Sequence, residues 1–285
     1  MTGVEHVTRE PATRRVRAGR DLPAAIVVGV ILALIIIVPL FTLRPLWIAV
    51  ICTAVAAGMF ELVRAFRLSG RTIALPPLAV GTAAMPVVAY LTGTSGLVLA
   101  LAITIFAATA WRLAYSGDHL FADVAAAVFC VAYVGLPAGF AALLTSPPDG
   151  PRRMVAFLAT AAASDIGGYT AGVLSGGRHK LAPTVSPGKS WEGFAGSVVV
   201  CVLVAAVSMA WPLHAALWQG AVLGVAIACT ATIGDLGESL LKRDIGIKDM
   251  GSLLPGHGGI MDRLDSVLCA APVAWLLISA FAPRP

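Results

Sequence analysis

GFAGSVVVCVLVAAVSMAWPLHAALWQGAVLGVAIACTATIG, residues 193–234, runs for 42 residues without a Lys, Arg, Asp or Glu. A helix of that length would be about 63 Å long, roughly twice the 30 Å hydrocarbon layer of a bilayer, so the stretch reads as two membrane spans joined by a turn. Asp235 ends it, followed by the densest charge in the chain.

Working outward, further uncharged runs cover residues 22–43, 72–111, 124–148 and 266–283. Of the 285 residues 58% are hydrophobic and 12% charged, and the mean hydropathy is +0.88. Soluble domains carry about one quarter charged residues, so a soluble globular protein is excluded. The 40 residues of 72–111 again hold two spans, and the less apolar segments 45–66 and 152–174 complete the set. The expectation is an all-α integral membrane protein, a polytopic bundle of about nine transmembrane helices over 22–41, 45–66, 73–91, 96–115, 121–144, 152–174, 193–211, 214–242 and 262–282. No repeat or long linker divides residues 21–285, which read as a single transmembrane domain.

Short loops keep Lys and Arg in the cytoplasm. With the N-terminus cytoplasmic, sixteen of the twenty cations fall inside and only Arg44, Arg152, Arg153 and Arg284 outside. Residues 1–20 read as a basic, disordered cytoplasmic segment, and the apolar run after them is too long for a signal-peptide core and is expected to be retained. The net charge of +5 sits on one membrane face without interleaved aromatics, which suits membrane lipids with anionic headgroups and not nucleic acid. Cys52, Cys130, Cys201, Cys229 and Cys269 all lie in spans without metal-ligand spacing, so neither disulfides nor zinc are expected.

Residues 235–265 hold six of the fifteen acidic residues, Asp235, Glu238, Asp244, Asp249, Asp262 and Asp265, with Lys242, Arg243, Lys248, Arg263 and His257. Asp235, Glu238 and Lys242 share one helix face, and Asp262 and Asp265 repeat the spacing at the start of the last span. The intervening LLPGHGG, 253–259, forces a turn that returns the two carboxylate pairs toward each other. Converging carboxylates of this kind suit Mg²⁺, which takes one or two of them and completes its shell with water and phosphate. Pairing with the neighbouring cations in a solvated loop is the alternative, and Asp235 resists it best because it lies near membrane depth.

A second polar loop, SGGRHKLAPTVSPGKSWEG at 175–193, shares the cytoplasmic face. Gly188, Lys189 and Ser190 resemble the end of a P-loop, but Pro183 stands where that motif requires Gly, so a true P-loop is excluded. Ser190 reads as the N-cap of the next helix with Glu192 in its first turn, leaving Lys180 and Lys189 to meet phosphate. Upstream, Asp165 in SDIGGY lies inside a span and either faces the site or makes a polar contact between helices. Glu61 reads as a helix-end charge paired with Arg64 at i, i+3. His6, His119 and His214 are isolated and carry no assigned role.

The stretch SLLKRDIGIKDMGSLLPGHGGIMDRLD, 239–265, resembles the signature of the phosphatidate cytidylyltransferase (CDP-diacylglycerol synthase) family, matching every fixed position. GDLGE before it and KLAPTVSPGKSWEG look like the same family, with Ser190 where Thr is more frequent, and the resemblance covers roughly residues 160–270. It implies condensation of CTP with phosphatidic acid to CDP-diacylglycerol and pyrophosphate, within phospholipid biosynthesis, by a homodimer with its active site facing the cytoplasm; the short loops suit a plasma (inner) membrane. It further implies Mg²⁺ held by Asp235 and Asp262, with a second cation shared by Asp262, and Glu238, Asp249 and Asp265 in support. Lys242, Arg243, Lys248 and Arg263 would neutralise phosphates, with Lys242 and Arg263 beside Asp235 and Asp262 in the catalytic set, and Lys180, Lys189 and Ser190 would close the site. Gly258 and Gly259 would let backbone approach phosphate, and His257 would orient the turn or meet a phosphate. The active-site loops would be 175–192 and 243–261.

Attack by a lipid phosphate oxygen on the CTP α-phosphorus needs no protein nucleophile, because the barrier is mostly charge repulsion and misalignment. The competing class is a secondary transporter with Asp165 and Asp235 as intramembrane ion sites. Turnover that depends on CTP and lipid together, against uptake of a solute into vesicles, separates the two.

Overall fold

The computed structural model describes residues 22–115, 117–251, 253 and 258–282. The basic segment 1–20 and His257 lie outside the described residues. The helices are α1 (Leu22–Thr42), α2 (Arg44–Leu68), α3 (Leu75–Leu113), α4 (Leu120–Cys130), α5 (Leu136–Thr145), α6 (Gly150–Leu174), α7 (Trp191–Leu213), α8 (Leu217–Ile245) and α9 (Met261–Phe281). Among the described residues six helical segments are long and apolar enough to cross a bilayer, namely α2, α3, the continuous α4–α5, α7, α8 and α9. The chain is a polytopic helical membrane protein. Its outer face agrees: Val80, Leu91, Phe106, Phe121, Leu203 and Trp211 are each more than half exposed, while Met59, Leu78, Met85, Phe157, Leu223 and Ile227 are sealed in the core. Apolar surface on that scale needs lipid to cover it.

The 39 residues of α3 do not form one rod. Gly93 sits at φ 78°, ψ −160°, a conformation that a residue with a side chain rarely adopts, and Gly81 packs against the side chain of Thr104. Contact between positions so far apart requires the chain to reverse at Gly93, giving the two antiparallel helices expected over 73–91 and 96–115. In α4–α5, Val131–Gly135 widen into a π turn. The cause lies just downstream: Pro137 has no N–H to offer the Tyr133 carbonyl, and its ring presses on that turn.

Polar contacts tie the two ends of the bundle. At one end Arg44 donates to Pro148 O at 2.7 Å, and Arg153, ion-paired with Asp149, donates to Ile278 O at 3.3 Å, joining the starts of α2 and α6 to the end of α9. At the other, buried Arg112 meets Asp123 at 2.9 Å, and Asp123 also accepts from Thr72 N at 3.2 Å. One expectation needs amendment, because the chain is not purely helical. Residues 180–190 form an antiparallel hairpin of β1 (Lys180–Ala182) and β2 (Ser186–Ser190), with Lys180 opposite Ser190.

Candidate active site

Three helices and the hairpin build a cavity of about 620 Å³, within the range of roughly 300–1,000 Å³ of small-molecule pockets. Its polar lining comes from Asp165 on α6, Lys180, Lys189 and Ser190 on the hairpin, Ser197 on α7 and Asp235 on α8. Glycines bring α6 and α7 together: a Cβ on Gly167 would stand 2.7 Å from Gly196 O, and one on Gly193 2.9 Å from Gly168 O. Hydroxyls pin the same seam, with Ser164 and Ser197 Oγ 2.6 Å apart and Ser197 Oγ donating to Ser164 O at 2.8 Å. Ser164 therefore makes the polar contact between helices, while its neighbour Asp165 faces the cavity within electrostatic reach of Lys189 and Asp235.

Ser190 is the N-cap of α7 as expected, its Oγ accepting from Gly193 N at 3.1 Å. Glu192 does more than favour the helix start. It accepts from His179 N at 3.2 Å and lies 2.6 Å from His179 Nδ1, which locks the open end of the hairpin. Lys189, projecting from this braced strand, forms an ion pair with Asp235 across the cavity. Asp235 also accepts from Ser239 Oγ at 3.4 Å.

One turn further along α8 a second cluster begins. Lys242 Nζ donates to Glu238 Oε2 at 2.6 Å and to Asp262 Oδ1 at 2.8 Å. Asp262 accepts in addition from Met250 N at 3.1 Å and Gly259 N at 3.0 Å. Asp262 and Asp265 at the start of α9 thus come back to Glu238 and Asp235 on α8, as the spacing implied. Glu238 is 1% exposed and its Oε1 has no hydrogen-bond partner among the described residues. Asp265 is buried beside α8, within electrostatic reach of Asp235 and Glu238, where Gly234 lets the helices touch. Among the described residues no three His, Cys, Asp or Glu side chains form a ready metal cage. Mg²⁺ does not require one, because it commonly keeps water and phosphate in its shell.

Of the remaining sequence candidates, Arg263 is within electrostatic reach of Asp165 and so of the cavity. Arg243, Lys248, Asp249 and Arg263 are exposed. Arg243 Nε donates to Val185 O at 3.5 Å, linking α8 to the hairpin. Asp249 forms no hydrogen bond or ion pair among the described residues, and its chain neighbour Met250 donates to Asp262. Gly258 takes φ +81° and Gly259 is buried.

Comparison with known proteins places this arrangement. A family model described as the cytidylyltransferase family matches residues 23–281. The chain belongs to the cytidylyltransferase family. It is 39% identical over 284 residues to a protein of Mycobacterium bovis named phosphatidate cytidylyltransferase, covering 95% of this chain and 92% of that one. A Mycobacterium leprae protein of the same name is 39% identical over 98% of this chain and 94% of its own length. A Staphylococcus saprophyticus protein, also so named, is 36% identical over 159 residues, 55% of this chain. Membership of the cytidylyltransferase family leaves the transporter reading without support.

Two residues escaped the sequence reading. Glu61, assigned there to Arg64, is 2% exposed and makes no ion pair with it; Glu61 Oε2 instead accepts from Met261 N at 2.9 Å, at the start of α9. The only local sign was a carboxylate within an apolar span. Tyr133, on the π turn, donates from its hydroxyl to Gly234 O at 3.5 Å, within electrostatic reach of Asp235, Glu238 and Asp265. Nothing local to residue 133 announces that neighbour.

Proposed function

We propose that this chain is a phosphatidate cytidylyltransferase, joining CTP to phosphatidic acid to give CDP-diacylglycerol and pyrophosphate. The observation that carries the reading is the Lys189–Asp235 pair, which unites the hairpin and α8 around one cavity in a chain of the cytidylyltransferase family. A phosphatidate oxygen attacks the CTP α-phosphorus and the bond to pyrophosphate breaks. The attacking phosphate is already largely ionised near neutral pH, so no general base is required. Lys180 and Lys189 gather triphosphate charge on the cavity side, while Arg243, Lys248 and Arg263 neutralise charge at the rim. Lys242 holds Glu238 and Asp262 at one spacing.

Asp235 and Asp262 would hold Mg²⁺, Asp262 would share a second cation, and Glu238 and Asp265 would support them; the unpartnered Glu238 oxygen and the all-oxygen donor set fit that ion. When bound, Mg²⁺ neutralises developing charge on the transferring phosphoryl oxygens.

The proposed topology has nine spans with the N-terminus and the site in the cytoplasm, at the plasma membrane. The reversal at Gly93 supports the count, and the gathering of Arg64, Arg67, Arg112 and the site at one end of the bundle supports the direction. Phosphatidic acid would enter from the surrounding lipid, and the resemblance implies a homodimer. The test is CDP-diacylglycerol and pyrophosphate formation by the detergent-purified chain with and without Mg²⁺, beside Asp262→Asn. Metal-dependent product that disappears in the variant is the expected result; folded wild-type protein that yields no product from CTP and phosphatidic acid overturns the reading.

A further inference from the structure

Glu61 belongs to α2, remote in sequence from every candidate above, yet its carboxylate lies against the start of α9, beside Asp262. Three contacts place it there. Its Oε2 accepts from the backbone N–H of Met261, the first residue of α9 and the one before Asp262, at 2.9 Å. A Cβ on Gly259 would stand 2.7 Å from that oxygen, 2.8 Å from Gly251 N and 2.9 Å from Asp262 Oδ2, so the Glu61 and Asp262 carboxylates face each other across the space a side chain would fill. On the far side, a Cβ on Gly251 would overlap Glu61 Oε1, an oxygen buried with no partner among the described residues.

Burying a carboxylate with one oxygen unsatisfied costs stability, so the arrangement calls for a compensating role. A negative charge at a helix N-terminus is favourable, and here it holds the first amide of α9. Asp262 has its own amide contacts to Met250 and Gly259, which flank Gly251 and the turn that Glu61 supports. We propose that Glu61 is a positioning residue for the transfer reaction: by propping Gly251 and Gly259 and holding Met261 N–H, it sets the direction in which Asp262 presents its carboxylate. The glycines at 251 and 259 are then small because Glu61 occupies the adjoining space. This inference rests on the cytidylyl-transfer reading for its kinetic readout, and on backbone protection for an independent one.

The experiment uses the full chain in detergent with Glu61→Gln, Glu61→Asp and Glu61→Ala. Gln keeps both the reach and an acceptor for Met261 N–H; Asp keeps the charge but is one methylene short. Displacement of a supporting group costs about 10–100-fold in activity or metal affinity. The expected result is kcat lowered on that scale in Ala and Asp, half-saturating Mg²⁺ raised about tenfold, CTP KM unchanged within about twofold, and Gln substantially restored. Hydrogen exchange over residues 258–264 should quicken in Ala and Asp while exchange in α6 and α7 does not. Folded Ala or Asp protein with wild-type kcat, Mg²⁺ dependence and exchange overturns the proposal. So does a pair of variants that lose only thermal stability, with normal constants in the folded fraction. If neither folds, Gly251→Ala decides, because its methyl would displace the Glu61 carboxylate from the other side: lowered kcat and a raised Mg²⁺ requirement at unchanged CTP KM support positioning, and fully normal constants in the folded variant overturn it. A wild-type protein without transferase activity fails the functional reading alone, and the exchange comparison still decides the role of Glu61.

Discussion

Lys189 of the hairpin and Asp235 of α8 are ion-paired across the cavity, and that contact joins the two polar regions of the chain. Lys189→Met should leave the fold intact, since both side chains are about one-third exposed, yet lower kcat/KM by roughly 100-fold through loss of a phosphate-directed cation. Exchanging the charges, Lys189→Asp with Asp235→Lys, should restore the pair without restoring turnover. Recovery of activity in the exchanged variant would show that the pair serves the fold and not the reaction.

Lys242 bridges two carboxylates, one of them almost fully buried. Lys242→Met leaves Glu238 and Asp262 facing each other uncompensated, and the expected cost is about 3 kcal/mol. A divalent cation should offset part of that cost by binding the folded state. Thermal unfolding in chelator and in millimolar Mg²⁺ checks this: the variant's deficit should be smaller with Mg²⁺, and an equal deficit in both denies the two carboxylates a metal-holding role.

The Arg112–Asp123 pair provides a contrast, being buried but lining no part of the cavity. Asp123→Asn should destabilise by about 3 kcal/mol while the surviving folded protein keeps its kcat and CTP KM. Unfolding curves and single-temperature kinetics on the same preparation distinguish stability from function; a changed CTP KM would connect this pair to the site.

Gly167 stands against a backbone carbonyl that cannot move aside alone. Gly167→Ala should push α6 and α7 apart at a cost of about 1–3 kcal/mol and raise the CTP KM, because the cavity wall is built on that seam. Unchanged nucleotide binding together with unchanged stability would mean that the helices absorb the extra methyl elsewhere.

The spans were largely legible because the bilayer demands one property, an uncharged run of sufficient length. The run expected over 121–144 became Leu120–Thr145, and 193–211 became Trp191–Leu213. The reversal within α3 was legible too, because 40 uncharged residues are too many for one crossing. At the site, the N-cap role of Ser190 and the return of Asp262 toward Glu238 followed from local spacing and turn residues. Glu61 did not, because its partner lies at Met261 and an i, i+3 rule sees only the same helix. The partition of the acidic residues was equally hidden. Asp235 faces the cavity, while Glu238, one turn on, turns to Lys242 and Asp262, and this depends on how α8 rotates against α7 and α9.

Ser190 is at once the last residue of β2 and the N-cap of α7, so strand runs into helix with no intervening joint. Lys189 therefore rides on the membrane helix as the tip of a lever whose other arm is embedded in lipid. The backbone from which its side chain reaches Asp235 is held by the start of α7 and by the His179–Glu192 contact. The tilt of a membrane helix and the anchor point of a phosphate-facing lysine are in this way joined without an intervening loop.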